Sequence, residues 1–115
     1  MAGAPVTLTR DVWTATATIA SSGTTSDAID LGAASFGGVL LPSSLTGTAM
    51  TFTVCDTSGG TYVALTDADG AAISQTVAAS KAFALPAEAF AFPFLKLVSG
   101  SSEGAARSIV VSLKG

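Results

Sequence analysis

Histidine is missing from this sequence of 115 residues, and cysteine occurs once, as Cys55. Without histidine, the chain lacks the most common general base and the most common metal ligand of proteins. Cys55 has no histidine to activate it and ends an apolar stretch, so we expect a small buried side chain rather than a nucleophile. A single cysteine forms no intrachain disulfide, which suits synthesis in a reducing cytoplasm. These absences predict a protein that is not an enzyme and uses no cofactor.

Charge is also scarce, since charged residues make up 11% of the chain against roughly 25% in average proteins. The net charge is −3 and the five basic residues are scattered, so the clustered lysines and arginines of a nucleic-acid-binding surface are lacking. No uninterrupted apolar run approaches the ~18 residues of a membrane span, and the first residues do not resemble a signal peptide. Because few charges protect this surface from association, we expect the protein to work packed against other proteins.

The carboxylates form no recognisable catalytic or metal-binding set. Asp67 and Asp69 have the spacing of the first two ligands in a calcium loop, but the later ligands and the closing glutamate are missing. A hairpin turn ordered by aspartate is the better interpretation. Glu88 and Glu103 have no partner that the sequence reveals. We therefore predict no metal site.

The stretch TIASSGTTSDAIDLG, residues 18–32, places two aspartates beside a tight turn. Asp27 and Asp30 are an odd number of residues apart and fall on opposite faces of an extended strand, so they cannot act together as acid and base. We interpret the stretch as the corner of a sheet, in which the carboxylate of Asp27 orders the turn.

Alternation with a period of two is the dominant pattern along the chain. It is clearest in VWTATATIA, MTFTVC and RSIVVSLK, residues 12–20, 50–55 and 107–114. Threonine and valine dominate these stretches, and their branched side chains fit a pleated, half-buried surface. In the first stretch Trp13, Ala15, Ala17 and Ile19 share one face. Such alternation predicts β-strands with one face toward a core.

Turn sequences separate shorter candidate strands throughout the chain. SSGTTS, TSGG, DADG and SGSSEG each supply glycine or aspartate where the backbone must reverse. About eight short antiparallel strands at this spacing predict an all-β fold, a single-domain β-sandwich of jelly-roll-like type. Residues 12–115 form that domain and residues 1–11 precede it as an arm. We allow one helical turn within residues 71–90, where Pro86 interrupts an alanine-rich segment.

The phenylalanines could form a stacking platform for sugars or bases. Phe90, Phe92 and Phe94 share one face of an extended strand, and Phe83 lies nearby in the sequence. Stacking platforms usually add polar and further aromatic residues around the rings, and these are scarce here. A core face is therefore the favoured interpretation.

The order of several segments resembles small virion proteins of tailed bacteriophages. The likeness covers residues 21–113 and is carried by turn and strand patterns: SSGTTSDAIDLG, FGGVLLPSSLTGTAMTF, GGTYVALTDADG, FPFLKLVSGSSEG and RSIVVSLKG. The family pattern has a tryptophan shortly after the proline at Pro42, whereas Leu45 stands near that place here. The departure leaves the subfamily, and hence the location on the virion, open.

The resemblance implies a non-enzymatic structural virion protein of the capsid decoration, or cement, type. It would bind the outside of the major capsid protein shell, after assembly in the cytoplasm of the bacterial host. Copies of the chain would associate with one another, for example as trimers at local three-fold positions, because several modest contacts then act together. The alternatives are a tail, neck or head-fibre component, or a glycan-binding module for host attachment that would use exposed Trp13 or Tyr62.

The residues before the first clear strand are the predicted contact with the capsid. Pro5, Val6, Leu8 and Arg10 alternate there as in a strand that adds to a partner's sheet, and Trp13 follows them. A terminal tail without fixed structure is the competing interpretation. No nucleic acid and no membrane is expected among the partners.

Overall fold

The computed structural model describes residues 12–32 and 34–115, which form nine strands and one short 3-10 helix. In chain order the strands are β1 Val12–Ile19, β2 Ile29–Asp30, β3 Phe36–Leu40, β4 Ala49–Cys55, β5 Val63–Ala64, β6 Ser74–Thr76, β7 Ala82–Ala84, β8 Phe94–Ser99 and β9 Arg107–Lys114, and the 3-10 helix is Ala87–Ala91. The arm of residues 1–11, which includes the predicted contact residues Pro5, Val6, Leu8 and Arg10, lies outside the described residues.

The strands make two antiparallel sheets. The first sheet has the order β1-β9-β3-β7, and the second has the order β2-β8-β4-β5, with β6 also paired to β4. Apart from β4, β5 and β6, which all lie in the second sheet, successive strands pass from one sheet to the other, which is the arrangement of a jelly-roll sandwich. The predicted all-β sandwich is confirmed.

One strand position of the second sheet is occupied by two pieces of chain. Residues 63–64 pair with the end of β4, and residues 74–76 pair with its beginning. The chain between them leaves the sheet as the DADG turn, in which the Asp67 carboxylate accepts hydrogen bonds from the amides of Asp69 and Ala71. Counting β5 and β6 as one interrupted strand gives the eight positions that the sequence predicted.

The core lies between the sheets and follows the predicted alternation. In β4 the residues Met50, Phe52 and Val54 are buried, and the threonines between them face outward. Strand β9 buries Ile109, Val111 and Leu113 in the same way. In β1 the pattern holds only at one end, where Ala17 and Ile19 are buried. Because β2 is only two residues long, the second sheet does not cover the beginning of β1.

The stretch of residues 18–32 is a sheet corner, as predicted. It leaves β1 through a turn in which Ser22 takes a positive φ of 68°. The segment then binds β8 at the edge of the second sheet, where the buried Ser26 exchanges hydrogen bonds with Leu97.

The phenylalanine prediction was wrong in one respect. Phe90 lies in the 3-10 helix Ala87–Ala91, and β8 begins only at Phe94, so residues 90, 92 and 94 do not share a strand face. Phe92 is exposed, while Phe83 packs against the core residue Phe52 with ring centroids 6.2 Å apart. Pro86 precedes the helix and fixes the extended backbone at its start.

Candidate docking surfaces

The outer face of the first sheet exposes apolar side chains. Val12, Phe36, Leu40 and Val110 are the large ones, and Leu40 keeps 54% of its surface accessible. The strand register places Leu40 beside Val110 on one side and Ala82 on the other. We call this surface the apolar face. Leu40, Val110 and Ala82 are thus contiguous, and exposed apolar patches mark interaction sites in soluble proteins.

The apolar face is nearly flat because small residues lie at its centre. Gly38 and Ser112 line two shallow depressions there, one of which also contacts Phe36 and the other Leu40. Lys114, beside Phe36 at the margin, is the charged residue that the four strands expose here. A flat and almost uncharged surface suits contact with another flat protein surface, because few charges lose water on docking.

The outer face of the second sheet is different in character. Thr51 and Thr53 line it, and the ammonium of Lys96 lies 4.4 Å from the centroid of the Tyr62 ring. This cation–π contact covers the one tyrosine of the chain. The outer face of the second sheet therefore carries a lysine–tyrosine pair among its threonines.

Glu103 is fully buried at one end of the sandwich, which the sequence did not reveal. One carboxylate oxygen accepts hydrogen bonds from the Thr46 amide at 2.8 Å and from Arg107 Nε at 2.9 Å. The other oxygen accepts from the Gly47 amide and from Ser99 Oγ, both at 3.0 Å. The side chain thus joins the loop before β4 to the loop between β8 and β9.

The hydrogen bonds around Glu103 fix its charge. Burial by itself would raise the pKa of the carboxyl, but the donors from Thr46, Arg107, Gly47 and Ser99 together lower it from 4.5 to about 2. All four hydrogen bonds that the carboxylate oxygens accept come from the protein itself, so no lone pair is left for a substrate. A buried carboxylate held in this way is a structural tie between loops and not an acid–base catalyst.

The edge strand β1 offers backbone groups for pairing. Thr18 donates its amide to the Asp27 carboxylate at 3.3 Å and accepts from the Asp27 amide at 3.2 Å, so its backbone points away from β9. In an antiparallel ladder this direction repeats at every second residue. The amides and carbonyls of Val12, Thr14 and Thr16 therefore point outward too, and in the described part of the chain no residue pairs with them.

A cleft opens beside this edge. Trp13 lies on the same side of β1 as the buried Ala17, but 41% of its surface is exposed. Trp13, Ala15, Leu31 and Leu113 line the cleft together with Asp30. The Asp30 carboxylate accepts a hydrogen bond from the Gly32 amide at 2.8 Å, separately from Asp27. Of the five predicted contact residues, Trp13 is therefore the one that the structure places on a surface.

The other candidates from the sequence have local roles. Cys55 is buried and its thiol lies 3.6 Å from the Asp56 carboxylate. Among residues 12–32 and 34–115, no group of three or more histidine, cysteine, aspartate or glutamate side chains is arranged to hold a metal ion. No helix in these ranges has the length and apolar character that crossing a membrane requires.

Comparisons of the chain with models of known protein families, with curated proteins and with solved structures gave no match. Functional inference therefore depends on the surfaces described above.

Proposed function

We propose that this chain is a non-enzymatic structural protein of a tailed-phage virion, a decoration protein that binds the outside of the major capsid shell. The observation that carries the proposal is the apolar face, which exposes large apolar side chains on a flat surface with little charge. Such a face gains free energy when another protein covers it. The resemblance of residues 21–113 to small virion proteins supplies the kind of partner.

Two further features support a role in assembly. The chain is poor in charge, so few charged side chains lose their hydrating water when another protein covers its surface. The hydrogen bonds of Glu103 hold the loops at one end of the sandwich in a fixed position. A fixed shape suits a protein that makes the same contact at many equivalent sites of a shell. The predicted strand addition by residues 2–10 would supply a second contact to the shell, and two linked contacts bind more tightly than either alone.

A binding experiment with empty heads tests the proposal. Purified protein is mixed with heads of the phage that encodes it, and bound protein is measured by co-sedimentation. Leu40→Glu places a charge in the apolar face, whereas the matched control Val63→Glu changes a similarly exposed valine on the second sheet. Because burial of such a side chain contributes about 1.5–3 kcal/mol, we expect Leu40→Glu to weaken binding at least about tenfold and Val63→Glu to bind normally.

Four results would count against this function. The wild-type chain could fail to bind heads, or mass spectrometry could show that it is missing from purified mature particles. A copy number of only a few per particle would favour a tail, neck or head-fibre component instead. Binding to a glycan array that is lost in Trp13→Ala would favour a host-attachment module.

A further inference from the structure

We propose that two copies of this chain pair through their β1 edges, in antiparallel orientation, so that the two four-stranded sheets become one continuous sheet. The inference rests on the proposed function, because it specifies how copies of the chain would associate, as the resemblance to virion proteins implies. It concerns the isolated protein, so a monomer would contradict the pairing without contradicting binding to the capsid.

The hydrogen-bonding groups of β1 define where the partner strand lies. Val12, Thr14 and Thr16 point their amides and carbonyls outward, while the backbone of Thr18 is already bonded to Asp27. Asp27 therefore closes the edge at one end and leaves three positions for pairing. An unprotected edge of this kind is a template for another strand.

Only one register uses all three positions in both copies. It places Thr14 opposite Thr14 of the second copy, and Val12 opposite Thr16 in each direction. Each of these pairs exchanges two backbone hydrogen bonds, which makes about six across the interface. The arrangement has a two-fold axis at Thr14, as expected for a dimer that uses the same surface on both subunits.

The side chains fit the same register. Trp13 then lies opposite Ala15 of the second copy, at a position where antiparallel strands bring side chains close together. The two-fold symmetry gives this pair of a large ring and a small residue two times in the dimer. Each exposed Trp13 thus contacts the second copy beside the cleft that it lines. A shift of two residues in one direction would place the two Trp13 rings opposite one another. A shift in the other direction would place Trp13 opposite Ala17 and pair Val12 with Thr18, whose backbone is already bonded to Asp27.

The composition of β1 permits a second copy as the occupant, and the symmetric register with Trp13 against Ala15 favours it. Residues 12–19 carry no charge and no proline, so neither repulsion nor a missing amide opposes pairing. Natural edge strands commonly carry lysine, proline or a bulge to prevent such contacts. Among the described residues, the Asp27 contact at Thr18 is the one that serves this purpose, and it blocks one position.

The first experiment compares two variants of one residue by analytical ultracentrifugation over a range of protein concentrations. Thr14→Pro removes an amide that points to the free edge and not one that bonds to β9, so the fold is expected to persist. Thr14→Val keeps the amide and nearly the same shape. We expect the wild type and Thr14→Val to dimerise, and Thr14→Pro to raise the dimer dissociation constant at least tenfold. Circular dichroism confirms that each variant is folded.

The second experiment tests the register by disulfide trapping in a Cys55→Ser background. Thr14→Cys places two thiols on the two-fold axis, with Cα atoms about 5.5 Å apart, within the range that a disulfide spans. Thr16→Cys is the control, because its copies lie about 13 Å apart along the strands. We expect mild oxidation to cross-link Thr14→Cys and not Thr16→Cys.

Deletion of residues 2–10 completes the test. Pairing through β1 predicts that the shortened chain still dimerises. A dimer that is lost on this deletion would show that the arm forms the contact, which would overturn the inference. A monomeric wild type at several hundred micromolar, a trimer, or equal cross-linking of the two cysteine variants would also overturn it.

Discussion

Replacement of Glu103 by glutamine should destabilise the fold by about 3 kcal/mol. The carboxylate accepts four hydrogen bonds, and the two amide donors, from Thr46 and Gly47, bind different oxygens. In the glutamine variant an NH₂ group replaces one of the two oxygens. This NH₂ group then faces the amide hydrogen of Thr46 or of Gly47, and two donors meet without an acceptor. A buried donor without an acceptor costs about 1–3 kcal/mol, and the charge of Arg107 loses its partner.

The pKa gives a second route to the same magnitude. Glu103 has a pKa of about 2 in the folded protein against 4.5 ordinarily, a difference worth about 3 kcal/mol. Because the folded-state pKa is the lower one, this stabilisation is complete above pH 4.5 and is lost as the pH falls through about 2. Between pH 7 and pH 3 the group should lose about 2 kcal/mol of its contribution.

Urea unfolding followed by circular dichroism, at pH 7 and at pH 3, measures both effects. The wild type should lose more stability on acidification than Glu103→Gln, which cannot titrate at this position. Glu88→Gln is the control, since Glu88 is exposed in the first turn of the 3-10 helix, and its change should stay within about 0.5 kcal/mol. Our account of the site would be refuted if Glu103→Gln matched the wild type at pH 7 or had the same pH dependence.

Two other predictions concern neighbouring features. Gly47→Ala should lower the free energy of unfolding by about 2 kcal/mol, because a Cβ at Gly47 would overlap the Ser99 hydroxyl. The thermal midpoint measures this, and Gly59→Ala, where a Cβ meets open space, should change it little. Deletion of residues 2–10 should leave the circular dichroism spectrum of a folded sandwich but abolish attachment to empty heads, and full occupancy by the shortened protein would refute the predicted arm contact.

The fold class could be predicted because the strands are recognisable from their local sequence. In β4 and β9 every second residue is apolar and buried, and this alternation needs no knowledge of distant contacts. The prediction that the phenylalanines near Pro86 share a strand face failed because it used the same local pattern. Their spacing matches a strand, but the 3-10 helix Ala87–Ala91 changes the direction of the side chains.

The Glu103 site could not be predicted from the sequence. Its donors at Thr46 and Gly47 lie 57 and 56 residues away. Both are backbone amides, which every residue type except proline supplies. Arg107, four residues along, was the one local signal. The outward direction of the backbone groups of Val12, Thr14 and Thr16 likewise follows from the contact between Thr18 and Asp27 across the corner.

The pairing of β1 with β9 sets the timing of folding during synthesis. Residues 12–19 bind residues 107–114, and β9 also holds β3 in place. Until the ribosome has released residues 107–114, β1 has no neighbour in its sheet and β3 has only the three residues of β7. Formation of the first sheet therefore waits for the last strand, as expected of a fold dominated by distant pairings. A nascent chain that stalls before this point would carry unpaired strands that chaperones recognise.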